Sequence, residues 1–155
     1  MKRLFLLLTT VCICLGIKAQ NPVFGKYADM EDLEYVCISS AMLRNLGKSS
    51  ATINGIQING ITNALKNVLI INSKEASCRA QMKADFLSLR NNPDYELMME
   101  MRDGSDHITT LAAVGEKVSE LVMFIQEGNH ESSFVVLNGN FSEEQLNKLI
   151  MNASK

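Results

Sequence analysis

YELMMEMR, Tyr95 to Arg102, is the stretch that decides the fold. Tyr95, Leu97, Met99 and Met101 alternate with Glu96, Glu100 and Arg102 along most of its length. A period of two belongs to a half-buried strand. Reading outward, Asp103-Gly-Ser-Asp106 leads into HITTLAAV (107–114), Gly115-Glu-Lys117 into VSELVMFIQ (118–126), and Gly128-Asn129 into SSFVVLN (132–138). Four β-rich runs separated by tight turns predict an antiparallel meander.

Upstream, LEYVCISS (33–40) is rich in β-branched and aromatic residues and predicts a strand, with AMLRNL (41–46) a short helix stopped at Gly47. NVLIIN (67–72) predicts a buried strand, and KEASCRAQMKADFLSLR (74–90) the longest helix, ended by Asn91-Asn92-Pro93. GKSSATINGIQINGITN (47–63) contains two Asn-Gly pairs only five residues apart, which leaves hardly any strand between two hairpin turns. The expectation there is a loop followed by a short helix over about Asn59 to Lys66. FSEEQLNKLI (141–150) carries a capping box, with Ser142 as cap and Gln145 reaching back to it. Phe141 and Leu146 sit at the positions of a hydrophobic staple, and Leu146, Leu149 and Ile150 form a buried stripe. The predicted class is α+β: a single domain with a largely antiparallel sheet of about six strands, a C-terminal four-strand meander, and helices packed on one face.

The first nineteen residues, MKRLFLLLTTVCICLGIKA, run in the order charged, apolar, small. That is the order of a secretory signal peptide. The apolar run ends at Lys18, short of the roughly 20 residues that a spanning helix needs. Cleavage is expected between Ala19 and Gln20, with residues 20–155 forming the domain and no stable membrane span remaining. Lipid attachment at Cys12 or Cys14 is less favoured, because the bulky Val11 and Ile13 precede them. Removing nineteen of the 155 residues leaves 136, enough for one domain with a core. Lys2, Arg3 and Lys18 leave with the signal, so 12 basic residues face 17 acidic ones, a net charge of −5. A modestly acidic chain without a basic run does not suit nucleic acid or an anionic membrane surface.

Two cysteines stay in the mature chain. Cys37 alternates with Leu33 and Tyr35, and Cys78 shares a helical stripe with Met82, Phe86 and Leu89, so both read as core positions. Export permits a bridge between them, but two cysteines are not a disulfide framework. No histidine stands near either in sequence to make a catalytic thiolate.

Other motifs carry little chemistry. LGKSS (46–50) ends like a phosphate-binding loop, yet Met42 stands where the first glycine belongs and a helix precedes it. The methionines of YELMMEM alternate as a strand does and read as core packing, not as a soft-metal site. The histidines, His107 and His130, stand in or beside the first and third turns of the meander with Asp103, Asp106, Glu127 and Glu131. Alternate turns of a meander share one end of the sheet, where strands are about 4.8 Å apart. A surface metal or proton-transfer site is one reading; ordinary turn composition is the other. No catalytic, cofactor-binding or metal-binding residue is assigned.

FGKYADMEDLEYVCISSAMLRNL, YELMMEMRD, KVSELVMFI and LNGNFSEEQLNKL together resemble a family of small exported proteins of Bacteroidetes-type bacteria, domain-of-unknown-function family 4252. The resemblance runs from about Phe24 to Ile150 and implies an envelope location and one compact domain. Some relatives look like lipoproteins, from which this chain departs at Cys12 and Cys14. The family supplies no established activity, so no catalytic residue transfers.

The expected function is therefore a non-catalytic binding or interaction module of the cell envelope, periplasmic or secreted, with another envelope protein or a small ligand as partner and no cofactor. The alternative is a small envelope metal-dependent hydrolase using the His107 and His130 turns. VSELVMFIQ and SSFVVLN place apolar residues on both faces of the sheet, so a face left bare by one-sided helices is the expected contact surface.

Overall fold

The computed structural model describes residues 21–46, 52–53, 56–58 and 60–153. The expectations for residues 1–19, for Cys12 and Cys14, for Gly47 and for the side chain of Ile150 lie outside the described residues. The chain divides into two compact units, residues 1–30 and 31–155. In the first, α1 (Pro22–Gly25) starts at Asn21, whose side chain accepts a hydrogen bond from the Val23 amide at 3.1 Å, and a 3-10 turn follows over Lys26–Asp29.

The second unit is built on six strands: β1 (Glu34–Ser39), β4 (Leu65–Ser73), β5 (Tyr95–Asp103), β6 (Asp106–Ala113), β7 (Val118–Glu127) and β8 (Glu131–Phe141). Their spatial order is β1-β4-β8-β7-β6-β5, and every pairing is antiparallel. The meander predicted from Tyr95 onward is thus present in full. Its tight turns use Gly104 and Gly128 at φ of 59° and 53°, a conformation that glycine adopts without steric cost. Two bulges, between Leu97 and Met99 and between Val118 and Glu120, let consecutive residues keep apolar groups on one face.

Helices α2 (Ser40–Leu46), α3 (Ala76–Arg90) and α4 (Glu143–Ala153) complete the described unit. They do not share one face, which corrects that part of the expectation. Val68, Ile70, Leu121, Met123, Val135 and Leu137 point to one side of the sheet and form one cluster with Leu43 of α2 and with Leu146 and Leu149 of α4. Their chain neighbours point to the other side, as successive strand residues must. There Phe86 of α3 stacks on Phe124 with ring centroids 4.8 Å apart, and Phe124 lies 4.9 Å from Phe134. The apolar residues on both faces of β7 and β8 are the cause: each face needs its own cover.

The capping box of α4 closes as expected. The Ser142 amide donates to Gln145 Oε1 at 3.0 Å, and the Gln145 amide donates to Ser142 Oγ at 3.3 Å. Phe141 and Leu146 are buried in one cluster. On α3 the stripe Cys78, Met82, Phe86 and Leu89 is buried, and the helix stops where Asn91 and Asn92 donate their amides to Leu87 and Leu89 carbonyls.

The stretch before β4 differs from its prediction. Thr52–Ile53 (β2) and Ile56–Gln57 (β3) pair as a minimal antiparallel ladder in place of a loop. Among the described residues 60–66 there is no helix. Gly60 to Ala64 form turns, held by the Ala64 amide on the Ile61 carbonyl at 2.8 Å, and Leu65 already pairs with Gly139 of β8. The Asn140 amide takes the Ala64 carbonyl at 3.0 Å. Sheet pairing captures the backbone that a helix would have used.

Candidate functional site

Because β4 runs antiparallel between β1 and β8, the start of β1, the end of β4 and the start of β8 lie side by side. Glu34 stands opposite Asn72, and Ser73 opposite Ser132. A cleft of about 350 Å³ opens at this end of the sheet. Among the described residues Asp32, Glu34, Glu75 and Glu131 give it four carboxylates, and Lys74 gives it a cation, with Nζ 3.7 Å from Glu131 Oε2. Leu33, Asn72 and Ser73 complete the lining.

The polar groups of this cleft are mostly engaged in holding the chain. The Ser73 hydroxyl donates to the Asp32 carbonyl at 3.1 Å and accepts from the Glu75 amide at 3.3 Å. It therefore ties the entry of β1 to the start of α3 and is not placed as a nucleophile. Asn72 Nδ2 donates to Glu34 Oε2 at 3.3 Å, while Asn72 Oδ1 is buried with no hydrogen-bond partner among the described residues. Among the described residues no histidine lines the cleft.

The histidine-bearing turns do meet at one end of the sheet. A side-chain carbon at Gly128 would lie 3.1 Å from Ser105 Oγ and 3.9 Å from His130 Cδ2. His107 sits on β6 between Arg102 of β5 and Gln126 of β7. Among the described residues, however, no group of three or more His, Cys, Asp or Glu side chains is placed to hold a metal ion. The turns come together as the meander dictates, but a ligand set is not completed there.

The two cysteines part company. Cys78 is buried in the α3 stripe as expected, whereas Cys37 is exposed, and both are free thiols. The alternation of β1 was read correctly as a strand, but β1 is an edge. It pairs with β4 on one side and with no strand among the described residues on the other. Val36 is 46% exposed and Met42, just beyond on α2, 52%. This surface was missed in the sequence because edge position depends on the partner order β1-β4-β8, set by residues 30 to 100 positions away.

The opposite edge, β5, is guarded. It carries Glu96, Glu100, Arg102 and Asp103 and a bulge at Met98, devices that discourage strand addition. Glu100 accepts from Arg102 at 2.6 Å and from Arg90 of α3 at 3.2 Å. Those hydrogen bonds, Arg102 foremost, hold its carboxyl below the usual carboxylate range. At the far end of the sheet Glu120 is 7% exposed and accepts from the Tyr95 hydroxyl, and Asn138 donates to Asn67 at 2.9 Å. These groups satisfy each other and stitch four strands together.

Residues 27–149 match the family model described as Domain of unknown function (DUF4252). The chain belongs to this family. No curated protein and no solved structure matches the chain. Membership fixes kinship across most of the second unit and leaves the chemistry to be argued from the residues. Among the described residues no helix is long and apolar enough to cross a membrane.

Proposed function

We propose that this DUF4252 protein is exported to the bacterial envelope, loses residues 1–19 on the way, and acts there as a non-catalytic interaction module. The order of its leader supports export: Lys2 and Arg3, a short apolar run, then Ala19. The bare sheet face first expected as the contact surface is set aside, since α3 and α4 pack on opposite faces. The observation that carries the reading is the contrast between the two edges. β5 is charged and bulged; β1 is six residues long, in unbroken register with β4, and charged only at Glu34. An unguarded edge with exposed apolar side chains invites a further strand.

The alternative, a metal-dependent hydrolase, draws on the meeting of the His107 and His130 turns and lacks a third ligand among the described residues. The test is an intact mass of the protein purified from its host's envelope, first denatured and then native. A denatured mass matching residues 20–155, with added protein mass under native conditions, is the expected result. A retained leader would overturn release, and an unadorned monomer in gently extracted envelope would overturn the interaction reading.

A further inference from the structure

The occupant of the β1 edge can be named from the strand's own sequence. We infer that β1 pairs with β1 of a second copy, antiparallel and centred on Cys37, joining two sheets across a two-fold axis. The inference rests on the interaction reading above and specifies its partner.

A closed dimer formed by one edge is isologous: if residue i faces j, then j faces i. Strand residues that face each other must also lie on the same side of the sheet. For a two-fold axis perpendicular to the sheet, only registers centred on a residue meet both conditions. Within Glu34–Ser39 the two registers that pair most of the strand centre on Val36 or on Cys37. The first sets the Glu34 carboxylate against Ile38, a charge against an apolar side chain on both sides of the axis. The second sets Val36 against Ile38 and Tyr35 against Ser39 and leaves Glu34 outside the paired residues, because the strand ends at Ser39, so no like charges face each other and the apolar residues meet. Val36 is on the face where Ile38 packs against the α2–α4 cluster, so the pairing would continue that core across the axis and cover an exposed valine. Cross-strand apolar pairs of this kind stabilise antiparallel sheets.

Cys37 then faces its own copy. Directly opposed residues have Cα atoms about 4.5–5.5 Å apart, within the range of about 4.4–6.8 Å that a disulfide spans. The thiol is exposed, while Cys78 is buried, so only one of the two reports on the edge. A single six-residue edge makes a small interface, and a reversible, concentration-dependent dimer follows.

The experiment uses the chain as its host processes it, at concentrations up to about 1 mM, the dissociation range open to a small interface. Sedimentation gives the oligomeric state. Diamide is then added at low dose; it accepts two electrons and two protons as two thiols become one disulfide, and peptide mapping locates the link. The expected result is a monomer–dimer equilibrium and a Cys37–Cys37 link that forms at least tenfold faster than in Val36→Lys. That variant should stay monomeric with an unchanged circular dichroism spectrum, and Cys37→Ser should dimerise but not cross-link. A monomer throughout, a dimer that Val36→Lys leaves intact, or a cross-link equally fast in Val36→Lys would overturn the homotypic edge. Should the native envelope complex contain a different protein, lost in Val36→Lys, the copy-to-copy pairing fails while the interaction reading survives.

Discussion

Gly139 shows how one missing side chain can decide a neighbouring element. A carbon added there would meet the Ala64 carbonyl oxygen at 2.3 Å and the Phe141 ring at 2.9 Å. The backbone must approach that closely for Asn140 to bond Ala64, and that bond holds Leu65 in the sheet. Gly139→Ala should therefore cost about 2 kcal/mol, by the usual penalty for overpacking, read from urea unfolding midpoints at a constant m-value. The same position explains why the helical pattern of 59–66 does not prevail: the pattern is local, and the competing carbonyl acceptor serves a residue 76 positions later. Ser142 is the converse case, legible because both partners of its capping box lie within four residues. Replacing Ser142 by Ala should lower stability by about 1 kcal/mol, typical of a lost N-cap, with the Gln145 amide exchanging faster. An unaltered unfolding midpoint would remove the cap from the account.

Elements whose pattern is internal were readable and those set by partner order were not. The four meander strands and α3 declared themselves by period two and by the Cys78, Met82, Phe86 and Leu89 stripe. The sidedness of the helices did not, because nothing in FSEEQLNKLI or ASCRAQMKADFLSLR says which face of β7 it will meet. The apolar residues on both faces of VSELVMFIQ were the available signal. α3 is anchored by Phe86 against Phe124, so Phe86→Ala should cost about 3–5 kcal/mol, the range for a deleted core aromatic, and a loss below about 1 kcal/mol would contradict burial of that ring. The tie of α3 to β5 depends on pH. The hydrogen bonds from Arg102, foremost, and from Arg90 hold the Glu100 carboxyl below the usual carboxylate range. A depressed carboxylate stabilises the fold above its unfolded pKa and loses that contribution as pH falls through its folded value. The melting temperature of the wild type should exceed that of Glu100→Gln at pH 7, with the gap closing below about pH 4. A gap that persists in acid would show that charge is not its source.

For the whole molecule, α+β class, strand number and the meander were legible, and the candidate contact surface was not. β1 was recognised as a strand, yet its Cys37 was assigned to the core, because alternation identifies two faces but not an edge. The carboxylate cleft was invisible for a related reason: Asp32, Glu75 and Glu131 come from three chain regions that meet only when β4 is inserted between β1 and β8. The histidine turns were placed correctly and still fail to gather a ligand set among the described residues. Adding zinc should leave the melting temperature within about 1 °C, since a ligand raises stability only by preferring the folded state. A rise of several degrees, lost in His107→Ala and His130→Ala, would revive the hydrolase reading.

The β1 edge as contact surface is the central claim, and hydrogen exchange tests it most directly. Alternate amides of β1 point away from β4 and should exchange freely in dilute purified protein. In the envelope fraction, or in concentrated protein, those outward-pointing amides between Glu34 and Ser39 should slow by at least about tenfold, equivalent to about 1.4 kcal/mol of protection, and Val36→Lys should abolish the effect. Unchanged β1 amides, with slowing confined to the cleft or to the His107 and His130 turns, would contradict the account and move the contact surface to the end of the sheet.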